Sequence, residues 1–510
     1  MSSWMRINQN FIRITASEMS GSQTSRRAHI RDCDAGDPKV APPSPSSSPS
    51  ISISQDEFKS PEGVTANGIS PANLSTSNDG PSGGLFWAGA DIGTLMRAEA
   101  ITGRKYYDYD GVTEKDPVKT LGDAGVNAVR VEGERGQCLG PTTFTNNTST
   151  RGEELTFSYS FGCADIQVKT AQRGIAEGMR VVLTINQGIK IPKELESLSY
   201  SEMVTNVRNE TKSQLQPFLD AKIVPDIILL ENEGTDGFLY TEESTGHVRD
   251  GKDSDKELCG QLPTGKMNSY PQYTGYLKAE ILAANEAIAS AGLSNASVRY
   301  GLHSHGQYVQ WKEGVVHGDK PPSQTKLSDK SDSPCAEQVI PQDLLDLDIA
   351  TMLNIAGFSA YPDPMTPTDI NNPSSLNATL TRLTETLTQL QDYAEKYGKF
   401  ASGPFAGQYK LQSLGVEYAT SFTADQIPQE VALTEMMWKR VKGFSSCLGM
   451  MWWEPWYCYN DWEGGKATLC KTKEDNGEVP TDTMKAWGKA ASSPWKAEMG
   501  KASNGTVSTA

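Results

Sequence analysis

Short apolar runs and stretches of helical period alternate along the chain between residues 85 and 494. Eight runs read as strands: Leu85–Asp91, Ala128–Val131, Arg180–Ile185, Ile227–Leu230, Val298–His303, Ile355–Ala360, Leu414–Tyr418 and Gly449–Trp453. Between them, apolar residues return at helical spacing. Leu277, Ile281, Ala284 and Ile288 share one face, and Leu376, Leu380, Leu383, Leu387 and Leu390 form a stripe stepping by four and three. Such stripes face a core. Each interval is long enough for a right-handed crossover between parallel strands. Eight strand–helix units predict an α/β fold, a (β/α)8 TIM barrel over residues 85–495. An open doubly wound sheet would need a glycine-rich phosphate loop after its first strand, and Ala90-Asp91-Ile92-Gly93 is not one.

Residues 1–84 break the pattern. They are rich in Ser, Pro, Asn and Gly, as in Ala41–Gln55, with few large apolar side chains. A segment like this buries too little surface to offset its ordering entropy, so it is expected to be a disordered tail. Residues 496–510 are expected to be a flexible C-terminus. The first thirty residues hold no apolar h-region, because Arg13 and Thr15 interrupt the approach around Phe11-Ile12. This leaves three readings: an intracellular protein, unconventional export, or a start that lies further upstream.

Charge narrows the classes of partner. The formal net charge is −16. The tail carries seven of the 47 basic and eight of the 63 acidic residues, so the acidity belongs to the barrel. An acidic surface repels phosphate backbones, which argues against nucleic acid and anionic membranes. No run of eighteen apolar residues occurs, so no spanning helix is expected. Eight cysteines without a C-x-x-C, and seven N-x-S/T sequons (at Asn73, Asn146, Asn147, Asn209, Asn295, Asn377 and Asn504), are the composition of an oxidising compartment. Scattered buried thiols are the competing reading of the cysteines.

In a barrel of this kind the chemistry sits at the C-terminal ends of the strands. The residues found there are Asp91; Arg130, Glu132 and Glu134; Asn186-Gln187; Glu231-Asn232-Glu233; His303-Ser304-His305; Tyr361-Pro362-Asp363; Glu417; and Trp452-Trp453-Glu454-Pro455-Trp456. Eight polar or aromatic strand ends together describe one cleft. Carboxylates beside aromatic rings point to sugars: glycosidic cleavage needs an acid for the leaving oxygen and a carboxylate at the anomeric carbon, and sugar C–H faces rest on rings. For the Trp452–Trp462 cluster the alternative is packing beneath the rim.

Trp87–Arg130 carries Gly89-Ala90-Asp91-Ile92, Tyr106-Tyr107-Asp108 with Gly111, and Leu121 through Asp123-Ala124-Gly125-Val126-Asn127 to Arg130. In order and spacing this resembles the opening of family 53 glycoside hydrolases, the endo-β-1,4-galactanases. Three later segments resemble the family in the same order. They are Pro225-Asp226 with Asn232-Glu233 and Gly237, Gly357–Pro362, and Gly449–Pro455. The resemblance implies a clan A barrel and a retaining mechanism. It implies Glu233 as acid/base after Asn232, which binds the sugar 2-hydroxyl, and Glu417 as nucleophile. It implies Arg130 as the group keeping that nucleophile ionised and Tyr361 as its hydrogen-bond partner. Asp91, Asn186, His303, His305, Trp453 and Trp456 complete the expected substrate-binding set.

Two segments depart from the family. Val131-Glu132-Gly133-Glu134-Arg135 follows strand two where the family carries a Trp, and Thr184-Ile185-Asn186-Gln187-Gly188 stands where it carries a His-rich, Trp-containing strand three. Phe400–Tyr409 is an extra stretch between Tyr397-Gly398-Lys399 and the strand-seven run. Glu231 shares a face with Glu233 by strand alternation unless a bulge intervenes. Glu454 is expected at the barrel end or a subsite. His303 and His305 share a face, but the reading as a zinc pair lacks an acidic third ligand nearby in sequence. No metal or organic cofactor is expected. The expected partner is a polysaccharide or oligosaccharide, acted on by a monomer. The resemblance, the cysteines and the sequons favour an extracellular location. The alternatives are a different clan A activity, such as mannanase, glucanase or exo-galactosidase, and a non-catalytic carbohydrate-binding barrel.

Overall fold

A computed structural model describes residues 51–53, 86–102, 104–135, 142–145, 154–157, 163–188, 192–233, 239, 270–304, 351–360, 373–420, 426–456, 469–472 and 477–492. Each of the eight strand runs forms a strand: β1 (Trp87–Asp91), β2 (Ala128–Glu134), β3 (Arg180–Asn186), β4 (Ile227–Leu230), β5 (Arg299–Ser304), β6 (Ile355–Ser359), β7 (Gln412–Tyr418) and β8 (Cys447–Trp453). All neighbours pair in parallel, and β8 returns onto β1, so the sheet closes into a barrel in chain order. This is the (β/α)8 architecture. Outside the barrel, Thr142–Thr145 and Glu154–Phe157 pair antiparallel, with Ile51–Ile53 alongside in parallel. No helix among the described residues is long and apolar enough to cross a membrane.

Seven helices of the outer layer are described: α1 (Pro117–Ala124), α2 (Ala164–Ala176), α3 (Tyr200–Asp220), α4 (Tyr270–Ser290), α5 (Pro373–Tyr397), α6 (Ile427–Val441) and α7 (Asp482–Ser492). Local chemistry sets their ends. Asp116 accepts from the backbone N–H groups of Val118 and Lys119, Pro117 opens α1, and left-handed Gly125 closes it. A reciprocal Ser199–Glu202 capping box starts α3. On α4 the face Leu277, Ile281, Ala284 and Ile288 is buried; on α5, Leu387 and Leu390 are buried and Leu383 is half-buried. Each buried Leu or Ile contributes roughly 1.5–3 kcal/mol.

Alternation divides the core in two. Trp87, Ala128, Val182, Leu229, Ile355 and Met451 fill the barrel interior, while Ala88, Val129, Leu183, Leu230 and Met450 face the helices. The inward set continues to the C-terminal rim as Asp91, Arg130, Glu132, Thr184, Asn186, His303 and Ser359, which is how the pleat delivers polar groups to one mouth.

Two local irregularities modify that delivery. On β7, Leu414 and Val416 point inward, so Glu417 should face the helices. A register shift between Gly415 and Glu417 turns it inward, and Tyr418 takes the outward place. After β4, Glu231 has φ of 65° and Glu233 φ of 50°, both left-handed. Alternation would put the two on one face; the left-handed turn separates them. Glu231 accepts from the Gln187 backbone N–H at 2.8 Å behind the strand, and Glu233 enters the mouth.

Candidate active site

Arg130 of β2 organises the mouth. It is fully buried, and its guanidinium reaches partners from four other strands or strand ends. Nε donates to Thr184 Oγ1 at 2.8 Å, Nη1 to Asp91 Oδ2 at 2.5 Å and to Glu417 Oε1 at 2.8 Å, and Nη2 to Asn232 Oδ1 at 2.5 Å. Glu132 Oε2 lies 3.6 Å from Nη2. Burial works against the charge, but Asp91, then Glu417 and Glu132, outweigh it, and Arg130 is held protonated well above its ordinary value.

Glu417 is thus buried beside a permanent cation. Across the mouth, the Ser359 hydroxyl lies 2.6 Å from Glu233 Oε1. His303 is fully buried: its Nε2 is 2.9 Å from Ser359 Oγ, and its Nδ1 is 3.0 Å from Asn232 Oδ1 and 3.3 Å from the backbone N–H of Glu233. Terminal atoms of Glu233, His303 and Glu417 lie within 4.8 Å of one another. That trio could in principle reach a cation, but the Arg130 guanidinium on Glu417 opposes one, and both His303 nitrogens face protein partners.

A third acid sits deeper at the rim. Glu454 has φ of 49° and accepts from the Thr94 hydroxyl. Burial, then the charge of Asp91, raises it well above the usual carboxylate range. Behind β4, burial and then the nearby Glu280 raise Glu231, and burial pushes Glu280 itself up to about 8. Of the five non-glycine residues with positive φ among those described, three are Glu231, Glu233 and Glu454. Backbone strain concentrates at the mouth.

The expected site residues therefore separate into groups. Asp91, Arg130, Asn232, Glu233, His303 and Glu417 meet in one network. Asn186 joins at its edge, donating through Nδ2 to Glu132 Oε1 at 2.7 Å. Trp453 is half-buried at the end of β8. Trp456 is buried and packs edge-on against Tyr106 at 5.4 Å. Trp452 lies behind the barrel, 5.0 Å from both Trp487 and Tyr418. Much of the tryptophan cluster is therefore packing beneath the rim. His305 and Tyr361 lie outside the described residues.

Ser359 and Thr184 were not among the residues expected at the site. The signal that could have found them is pleat position. Ser359 follows Ile355 and Gly357 on the inward face of β6, and Thr184 precedes Asn186 by two on β3.

Residues 87–287 match the model of glycosyl hydrolase family 53. The match is a likeness to that family over the first half of the barrel. It takes in β1 to β4, with Arg130 and Glu233, and stops short of Glu417. Among solved structures, fungal β-1,4-galactanases are 16% identical, with 79% of this chain and 99% of theirs covered and a TM-score of 0.51, which is a likeness of fold. The GH53 catalytic domain of Ignisphaera aggregans is also 16% identical, covering 79% of this chain and 95% of that one, with a TM-score of 0.49. No curated protein matches the sequence.

Proposed function

We propose that the protein is a retaining hydrolase of β-linked polysaccharide, acting in the manner of an endo-β-1,4-galactanase. The observation that carries this is the placement of Glu233 and Glu417 with carboxylate oxygens within 4.8 Å of each other at the C-terminal rim. Retaining glycosidases hold their carboxyls about 5–5.5 Å apart, too close for a water to attack directly between them. Glu417, ionised beside Arg130, attacks the anomeric carbon as Glu233 transfers its proton to the leaving oxygen. Glu233 then takes a proton from water, whose oxygen displaces Glu417 with the original configuration restored. Asn232, oriented by Arg130 and His303, stands where a sugar hydroxyl would be held.

A second reading keeps the mechanism and changes the sugar. Glu132 and Asn186 bond to each other in the segments where the sequence leaves the family pattern. A polar wall there favours a different β-linked chain, such as a mannan or a glucan. The barrel unit is taken to span 85–495. We further infer a secreted, glycosylated monomer; the disulfide-bonded state of Cys163 and Cys470 supports the oxidising compartment.

Product sizing on β-linked galactan, mannan and glucan tests the substrate. Azide tests the roles: Glu417→Ala should yield the α-glycosyl azide and Glu233→Ala the β-glycosyl azide. Absence of turnover on every β-linked polymer, with sugar affinity retained in Glu233→Gln, would replace the enzyme with a carbohydrate-binding barrel.

A further inference from the structure

Two of the sequons, those at Asn209 and Asn295, have all three side chains described, and the fold treats them oppositely. Asn209-Glu210-Thr211 lies within α3, with Asn209 itself exposed. Thr211 is fully buried; its Oγ1 donates to the Val207 carbonyl at 2.8 Å and accepts from Gln187 Nε2 at 3.1 Å. Asn295-Ala296-Ser297 lies in the connection between α4 and β5, where Ser294, Asn295, Ala296 and Ser297 are all exposed. The Val298 N–H donates to the Asn295 carbonyl at 3.0 Å and closes a turn, and the Ala296 N–H donates to Ser294 Oγ at 3.2 Å. Space beside the turn is open: a Cβ on left-handed Gly292 would meet nothing within 4 Å.

We propose that Asn295 is the acceptor of an N-linked oligosaccharide. This rests on the reading of the protein as secreted. An amide nitrogen is a poor nucleophile, because its lone pair is delocalised into the carbonyl. Transfer needs an enzyme that grips the Asn amide and the hydroxyl two residues on together, so a sequon must present both from an irregular surface segment. The donor is an oligosaccharide carried on a polyprenyl pyrophosphate. Asn295 Nδ2 attacks the sugar C1, and the N–C1 bond forms as the C1–O bond to the pyrophosphate breaks. The polyprenyl pyrophosphate leaves with the bonding pair, and the amide proton passes to a base of the transferase. The exposed turn at Asn295–Ser297 meets this demand. The Asn209 sequon does not, because a capping box starts its helix and its hydroxyl is sealed in the core.

The folded protein accommodates the product. Asn295 Nδ2 donates to Asn285 Oδ1 on α4, which also accepts from the Tyr300 hydroxyl at 3.0 Å. Nδ2 begins with two hydrogens and gives up one, so an N–H remains to face Asn285. The glycan stands before the N-terminal end of β5, whereas His303, near the other end of that strand, lies in the mouth. A sugar chain rooted at the end of the barrel opposite the active site leaves the cleft clear for a polymer.

The test carries the full chain, behind a cleavable secretion leader, through the secretory pathway of a eukaryotic host. An amidase that removes N-glycans, used in oxygen-18 water, converts each occupied Asn to labelled Asp, which mass spectrometry of peptides then locates. The Asn295 peptide should carry the label, and the Asn209 peptide should remain Asn. Ser297→Ala should abolish the label at Asn295 and Ser297→Thr should retain it, with turnover in both within about twofold of wild type. An unlabelled Asn295 in the exported protein, or label at Asn209 instead, would overturn the assignment. Secretion is tested apart, by locating the chain in the cells that naturally make it. Retention there would end the secretion reading, and a labelled Asn295 in the exported form would still establish the acceptor.

Discussion

A lysine at position 130 would keep the charge and lose the geometry. Arg130 spans Asp91, Thr184, Asn232 and Glu417 with one rigid fork, whereas an ammonium is a single point on a flexible stem. Arg130→Lys should therefore fold, because Asp91 and Glu417 retain a counter-ion, yet lose about 10²–10³-fold in kcat as Glu417 and Asn232 drift from their places. Arg130→Met should cost roughly 3–5 kcal/mol, because two buried carboxylates lose their shared counter-ion. Urea denaturation beside a rate measurement separates these outcomes, and a lysine enzyme with full turnover would refute the positioning role. The residue scale is also where sequence reading ran short. Arg130, Glu233 and Glu417 were legible as polar residues at strand ends. That Glu417 faces inward depends on a one-residue register shift that no residue type announces, and the separation of Glu231 from Glu233 depends on left-handed backbone at two glutamates. Ser359 was invisible because a small hydroxyl at a strand end is ordinary without its neighbours.

Between elements, Glu430 fastens the end of β7 to two helices. From α6 it accepts hydrogen bonds from Thr420, just past β7, and from Thr483 on α7 at 2.7 Å. Burial pushes its carboxyl up to about 7, against the lowering effect of the two hydroxyls. The folded value lies above the ordinary value of 4.5, so the unfolded chain releases this proton first as pH rises. The stabilisation is complete below about 4.5 and is lost as pH climbs through 7. Glutamine cannot ionise and so escapes that loss. Glu430→Gln should match wild type near pH 4.5 and exceed it above pH 7 by an amount on the order of 3 kcal/mol. Thermal melts at both pH values check this, and a difference independent of pH would mean that Glu430 is already ionised in the folded protein. The α6 sequence shows a buried face, but the acid within that face reads as an ordinary surface glutamate until Thr420 and Thr483 are brought to it by the fold.

The barrel as a whole was the most legible feature, because short apolar runs separated by crossover-length intervals repeat eight times, and repetition averages out local error. Leu277, Ile281, Ala284 and Ile288, with Leu387 and Leu390, are buried as their spacing predicts, while Leu383 is half-buried. The aromatic cluster was less legible. Trp452 and Trp487 belong to the packing between barrel and helices, with Trp487 Nε1 donating to Gly89 O at 2.8 Å, and only the fold distinguishes a ring behind a strand from one at its mouth. Closure itself depends on a single position. Gly449 of β8 meets Trp87 of β1 with φ of 154°, a conformation that residues with a side chain rarely adopt. A Cβ there would lie 2.0 Å from the Trp87 carbonyl oxygen. That atom is backbone in the neighbouring strand, so relief requires β1 and β8 to part at the seam where the sheet closes. The same seam carries Asp91, opposite Trp453, into the Arg130 network. Gly449→Ala should therefore cost upwards of roughly 3 kcal/mol and lower catalysis in whatever fraction still folds. Gly178, left-handed but with open space where its Cβ would go, is the matched control and should lose only about 1–2 kcal/mol on conversion to alanine. If both substitutions lowered the urea midpoint equally, contact with Trp87 would not be what fixes glycine at the closing strand.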